Sequence, residues 1–163
     1  NDLLFFTDKC QVYKAKVNDF ADSKASVLGE YIPSKLEMEE GENAIYMVVT
    51  GTYGGYMLFL FQNGKIAKVN LSSYATKTNR KKLIKAYCEK FAIHTILYIK
   101  EDTELLLKST NGRMLIVSTA AIPSKTTKDN GGINVMTQKK GQRVTDAVLY
   151  TKVPFPYIRL RQY

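Results

Sequence analysis

The stretch 56–74, YMLFLFQNGKIAKVNLSSY, reads as one hairpin: an apolar run, an Asn63-Gly64 turn, a second alternating run, then Ser-Ser-Tyr. Its period is two. Ile66, Lys68 and Asn70 fall on one side and Lys65, Ala67, Val69 and Leu71 on the other, which is strand behaviour. Asn-Gly supplies the positive φ values that a tight hairpin turn demands.

The same hairpin is written twice more, as LLFFTDKCQVYKAKVNDF at 3–20 and LLLKSTNGRMLIVSTAAI at 105–122. With Cys10, Gly64 and Gly112 as anchors, the spacings are 54 and 48 residues, near the ~40 to 50 of propeller blades. Four apolar columns stay in step. Phe5, Phe59 and Leu107 stand five before the anchor, and Leu4, Leu58 and Leu106 six before. Val12, Ile66 and Met114 stand two after, and Phe20, Tyr74 and Ile122 ten after. Cys10 replaces the glycine in the first copy, which predicts a turn of another type or one under strain.

Each copy closes on a further strand signal: ENAIYMVVTG, FAIHTILYIK and QRVTDAVLY, with the polar turns EEGEN and KKGQR ahead of the first and third. The segment RKKLIKAYCEKF at 80–91 has Leu83, Ile84, Tyr87 and Phe91 at helical spacing. A strand is expected there instead, because the matching segments LGEYIPSKLEM and GGINVMTQ carry no helical pattern. Each unit is therefore expected to be an antiparallel sheet of about four strands. A lone small sheet cannot bury both faces, so the units are expected to stack radially as blades. The expectation is an all-β, propeller-like open arc forming one repeat domain over 1–163. Its units cover approximately 1–52, 53–101 and 102–153, with a tail at 154–163.

An apolar content of 45% suits a packed core, and 24% charged residues suit a solvated surface. No apolar run approaches the ~18 to 20 residues of a membrane-spanning helix, and NDLLFFTDKC lacks the basic and small-residue features of a signal peptide. No membrane partner is expected. Cys10 and Cys88 have no metal or redox spacing, which makes a reducing cytosol the default compartment. The abrupt start on a strand-like run, without an initiator Met, suggests a piece of something longer. The net charge of +9, from 24 Lys plus Arg against 15 Asp plus Glu, favours a polyanionic partner, nucleic acid first and an anionic membrane surface second.

The loop after each hairpin carries basic residues. The first, ADSKASVLGE, holds Lys24; the second, ATKTNRKKLIK, holds Lys77, Arg80, Lys81, Lys82 and Lys85; the third, PSKTTKDNGG, holds Lys125 and Lys128. Lys77 and Lys125 both stand 13 residues after the anchor and Lys24 stands 14 after. Equivalent loops of a radial array emerge on equivalent parts of its rim, so these cations are expected to trace a curved basic path. Bending 20 to 30 base pairs of duplex costs on the order of 1 to 6 kcal/mol. Phosphate contacts and counterion release offset that cost without reading sequence. Ser23, Thr76, Thr78 and Thr126 can add hydrogen bonds to phosphate oxygens. The bland alternative is that rim lysines are only solvated; it fits Lys24 alone better than it fits five cations and no acid in 77–85.

DLLFFTDKCQVYKAKV followed by LEMEEGENAIYMVV resembles the C-terminal domain of the A subunit of bacterial type IIA topoisomerases, DNA gyrase and topoisomerase IV. That family's repeat has the form LLFFTxxGxVYxxKV, then a basic loop, then a polar-Gly-Glu turn. Leu3, Leu4, Phe5, Phe6, Thr7, Val12, Tyr13, Lys16, Val17, Gly41 and Glu42 occupy matching places. The resemblance implies a β-pinwheel, a disc whose blades exchange strands and whose basic rim wraps double-stranded DNA beside the cleavage core. It implies about half of that disc without its first blade, the rest of the A subunit and an ATPase B subunit as partners, and a bacterial, nucleoid-associated place in the cytoplasm. The basic Gln-Arg-Arg-Gly-Gly-type box of gyrases does not occur, which leaves gyrase and topoisomerase IV both open. Cys10 and the Arg-poor first loop suggest weaker DNA binding by the first copy.

No catalytic set is expected in this chain, and no cofactor or metal. Tyr13, Tyr56 and Tyr74 lie in repeat columns and read as core or sheet surface. His94 has no paired Asp or Ser motif and reads as a packed or half-exposed strand residue. Glu39-Glu40 and Glu101-Asp102 sit at turns and read as solvating charges. A competing function is a protein-interaction propeller whose basic face docks an acidic partner. An enzyme in a central channel has little support.

Overall fold

The computed structural model describes residues 2–16, 36–77 and 80–150. Lys24 with its loop, Phe20 of the last repeat column, and the expected tail lie outside them. The described strands are β1 Asp2–Thr7, β2 Val12–Lys16, β3 Ala44–Val49, β4 Tyr56–Phe61, β5 Lys65–Asn70 and β6 Lys82–Leu83. They continue as β7 Ile93–Ile99, β8 Glu104–Ser109, β9 Met114–Ser118, β10 Ser124–Lys125, β11 Ile133–Asn134 and β12 Val144–Tyr150. Short 3-10 turns at Leu71–Tyr74 and Thr119–Ala121 follow the second and third hairpins. No α-helix forms among the described residues, so the helical spacing in 80–91 is not used.

Each repeat builds three strands in the same way. The hairpins β1–β2, β4–β5 and β8–β9 pair Phe5 with Tyr13, Phe59 with Ala67 and Leu107 with Leu115. The closing strand then returns antiparallel to the first, as β3 on β1, β7 on β4 and β12 on β8. Cys10 has a φ of 57°, on the same left-handed side as Gly64 at 87° and Gly112 at 80°. The first turn is thus kept at the expense of a side chain in a conformation that favours glycine.

The repeat columns set which way each sheet faces. Side chains alternate across a strand, so the column six before the anchor and the column five before it point opposite ways. Leu4 of the first unit packs with Phe59 of the second in one core; Leu58 of the second packs with Leu107 of the third in another. The second sheet therefore lies between the first and the third. The first core is aromatic: Phe6 meets Phe59 and Tyr74 edge-on at 5.8 and 5.2 Å, and Phe59 stacks on Tyr87 at 5.1 Å. Burying such a ring is worth about 2 to 3 kcal/mol. At the two ends, Ile45, Met47 and Val49 of β3 and Met114 and Val148 of the third sheet remain exposed.

Where a sheet has a fourth strand, that strand is not the unit's own. The first sheet has the order β3-β1-β2-β6, and β6 belongs to the second repeat. The second sheet has the order β10-β5-β4-β7 with β11 also on β5, and both β10 and β11 belong to the third repeat. Equivalent residues do the docking: Leu83 pairs with Val12, and Ile133 with Ile66, each two past the anchor. The Ala86 amide then donates to the Cys10 carbonyl at 2.9 Å and the Met136 amide to the Gly64 carbonyl at 3.1 Å. Among the described residues the third sheet has three strands, β12-β8-β9.

Candidate nucleic-acid interface

The strand exchange decides where the basic loops go. A connector that donates a strand to the preceding sheet must run along that sheet's edge, and its cations run with it. In the second repeat, Lys77, Arg80, Lys81, Lys82 and Lys85 are all exposed. The Lys81 carbonyl accepts the Lys14 amide of β2 at 2.8 Å. Lys82 lies in β6 opposite Tyr13, its Nζ 5.7 Å from the ring centroid. Lys85 takes a left-handed φ of 51° just before the Ala86 anchor. This cluster therefore lies along the β2 edge of the first sheet.

The third connector repeats the arrangement one sheet on. Lys125, exposed in β10, pairs in parallel with Val69 of β5, and Lys128 is half-buried in the turn that leads to β11. Lys77 and Lys125 each follow the 3-10 turn of their own hairpin, as their equal count from the anchor predicts. They differ in pairing: Lys125 sits in a strand, Lys77 in a bend. Gly132 explains how closely this connector lies on β5. Its φ is +74°, and a Cβ there would stand 2.0 Å from the Ile66 carbonyl oxygen.

None of these seven cations makes an ion pair among the described residues. The ion pairs there are Lys16–Asp2 and Lys68–Asp102, each at 2.6 Å. The second involves a residue that the alternating pattern does not flag. Lys68 is 4% exposed, held by Asp102, by the Thr119 carbonyl at 3.0 Å, and by the Tyr56 ring at 4.5 Å. Asp102 is thus more than a solvating turn charge, because it ties the third unit to the second. Hydrogen bonds from Lys68 and Thr119 hold its carboxyl below the ordinary range.

Sequence reasoning also passes over Lys14, although Lys14 and Lys68 share the column four past the anchor. The Lys14 ammonium is half-buried and donates to Thr76 Oγ1 at 2.8 Å. Burial lowers its pKa; Asp2 opposes that, and the positive charges of Lys16 and Lys128 add to it. Lys14 and Lys128 are therefore within electrostatic reach of each other, although they come from the first and third repeats. His94 lies in β7, half-buried, with its Nε2 2.9 Å from the Thr145 carbonyl of β12 and its Nδ1 2.9 Å from Thr95 Oγ1. That is the packed strand position expected of it. No group of three potential metal ligands occurs among the described residues, and none of the described helices is long and apolar enough to cross a membrane.

Among solved structures, the chain superposes on the crystal structure of the C-terminal domain of DNA topoisomerase IV with a TM-score of 0.74. The match covers 93% of this chain and 47% of that one, at 21% identity. The fold is a β-pinwheel. The E. coli ParC C-terminal domain gives a TM-score of 0.65 at 15% identity, over 91% of this chain and 61% of that one. The DNA gyrase A C-terminal domain gives 0.59 at 14% identity, over 91% and 47%. In sequence, the chain is 23% identical over 113 residues to the A subunit of DNA gyrase from Mycoplasma genitalium and 24% identical to the one from Mycoplasma pneumoniae. Each match covers 69% of the pinwheel chain but 14% of the relative. No family model matches the chain.

Proposed function

We propose that this chain is a non-catalytic module of a bacterial type IIA DNA topoisomerase A subunit that binds duplex DNA without reading its sequence. It guides the duplex along the edge formed by the donated connectors, beside the rest of that subunit and its ATPase B subunit, in the cytoplasm. The supporting observation is that two successive connectors lie on the edge strands of successive sheets with seven cations that make no ion pair among the described residues. Cations so placed neutralise phosphates and release counterions, which gives affinity without sequence readout. The pinwheel likeness to the gyrase A and topoisomerase IV domains supports the same reading.

The test is the salt dependence of duplex binding by the parent and by a variant with Lys77, Arg80, Lys81 and Lys82 changed to Glu. The parent's log affinity falls against log salt with a slope of about −0.9 per phosphate neutralised. The variant binds more weakly and with a flatter slope. Equal affinity of the two proteins at low salt refutes the assignment.

A further inference from the structure

The repeat supplies its own control for one lysine. Lys14 and Lys68 stand at the same place in their hairpins, and each reaches toward the entry loop of the next unit. Lys68 is neutralised there by Asp102. The residue equivalent to Asp102 is Gly54. This follows from the hydrogen bonds beside each: the Leu71 amide donates to the Gly55 carbonyl at 3.0 Å, and the Thr119 amide to the Thr103 carbonyl at 2.8 Å. The first junction therefore lacks the acid that the second has. Around Lys14 stand Thr76 Oγ1 at 2.8 Å and the Tyr53 ring, whose centroid is 5.6 Å from Nζ. Asp2 is nearby but already engaged, with Oδ1 accepting from Lys16 and Oδ2 from the Tyr53 hydroxyl, both at 2.6 Å.

A half-buried ammonium whose nearest carboxylate is bonded to other donors is an incomplete site. Charge-assisted hydrogen bonds are the strong ones, and an ammonium is a compact charge suited to a phosphate oxygen. The position is also continuous with the basic edge, because Thr76 adjoins Lys77 and the Lys14 amide binds the Lys81 carbonyl. We propose that Lys14, beside Thr76, holds one backbone phosphate of the duplex at the junction of the first and second units, in the place that Asp102 fills at the next junction. The charge of Lys128, felt at Lys14, reinforces an anion there. The inference rests on the proposed nucleic-acid reading and adds a residue outside the exposed connectors.

The experiment changes the lysine and, separately, gives it an internal partner. Gly54 has no positive φ, and a Cβ there meets just Thr52 Oγ1 at 3.7 Å, so Gly54→Asp fits the fold. Lys14→Gln, Lys14→Arg, Gly54→Asp and the Lys14→Gln/Gly54→Asp double variant are compared with the parent in duplex binding across a salt series. Thermal melts confirm that each variant is folded. Lys14→Gln and Gly54→Asp each lose about 0.9 from the salt slope, the value of one phosphate, and Lys14→Arg keeps it. The double variant loses no more than either single one, because both act on the same charge. A parental slope for Lys14→Gln overturns the proposal. So does a Gly54→Asp effect that persists undiminished without Lys14, since that would be general repulsion. The Lys77/Arg80/Lys81/Lys82 variant runs alongside. If it flattens the slope while the Lys14 variants do not, the seat is wrong and the edge reading stands; if neither changes it, both fail.

Discussion

Removing the two halves of the Lys68–Asp102 pair should have unequal consequences. Lys68 is 4% exposed, whereas the Asp102 side chain keeps 40% of its surface in water. Asp102→Ala leaves a buried ammonium with one carbonyl and one ring. Breaking a fully buried pair costs about 3 to 5 kcal/mol, and an exposed pair is worth about 1 or less. The half-exposed partner places the loss between them, at about 2 to 3 kcal/mol. Lys68→Met removes the charge itself. The Thr119 carbonyl still accepts the Ile122 amide at 3.0 Å, and Asp102 still accepts from Thr119 Oγ1 at 2.8 Å, so little is left unsatisfied. Its effect should stay within about 1 kcal/mol. At roughly 2 to 4 °C per kcal/mol for a domain of this size, Asp102→Ala melts roughly 4 to 12 °C below the parent and Lys68→Met within a few degrees of it. Thermal unfolding by circular dichroism at neutral pH measures both. Equal losses, or a larger loss for Lys68→Met, refute the asymmetry.

Gly132→Ala and Gly112→Ala both place alanine at positive φ, but only at Gly132 does the new Cβ run into backbone, while at Gly112 it meets open space. Gly112→Ala should cost about 1 kcal/mol, and Gly132→Ala several times as much by lifting the donated strand off β5, seen as faster amide exchange at Ile66. Phe59→Ala should lose about 3 to 5 kcal/mol in denaturant unfolding, since it removes the ring that touches both Phe6 and Tyr87. Glu42 is 6% exposed and accepts from Thr7 Oγ1 at 2.5 Å, Tyr13 Oη at 2.7 Å and the Glu39 amide at 3.0 Å. Burial alone would raise its carboxyl, but those bonds outweigh it and hold the pKa below the ordinary range. With the folded value depressed, the stabilisation is complete above the unfolded value of about 4.3 and is lost as pH falls through the folded one. Glu42→Gln should therefore cost about 2 kcal/mol at neutral pH and make acid unfolding less steep.

The hairpins are legible in the sequence because period two and a repeated turn are local signals. In the structure the columns at six and five before the anchor face different neighbours: Leu4 and Phe59 share one core, Leu58 and Leu107 the next. The partner of the fourth strand is not legible from pattern. Leu83 and Ile133 look alike whether they pair within their own unit or with the preceding one, and it is the family resemblance that implies exchange. Lys68 escapes for a related reason. Alternation marks which side of a strand a residue faces, but both sides of β5 are covered, so a polar position there is interior. Its partner Asp102 lies 34 residues away, and local pattern holds no trace of the pairing. Lys14 and Lys68 do share a repeat column, but a column of lysines carries no core signal, and apolar columns alone do not bring it out.

Strand exchange also explains how the connectors can be so basic. Unpaired cations crowded on one edge repel each other, and a loop with nothing but charge would leave the surface. The second connector is instead fixed by apolar and backbone anchors: Leu83, Ala86 and Tyr87 are buried, the Tyr87 hydroxyl donates to the Thr7 carbonyl at 2.6 Å, and the Tyr74 hydroxyl donates to the Ala86 carbonyl at 2.6 Å. The third is fixed by Ile133, buried Met136 and the close approach of Gly132. Attachment is thus carried by residues other than the exposed cations. The second connector carries Lys77, Arg80, Lys81, Lys82 and Lys85 where the third carries Lys125 and Lys128, yet both dock at the same register two past their anchors. A segment that joins two sheets thus presents charge along their edge while its buried residues hold it in place.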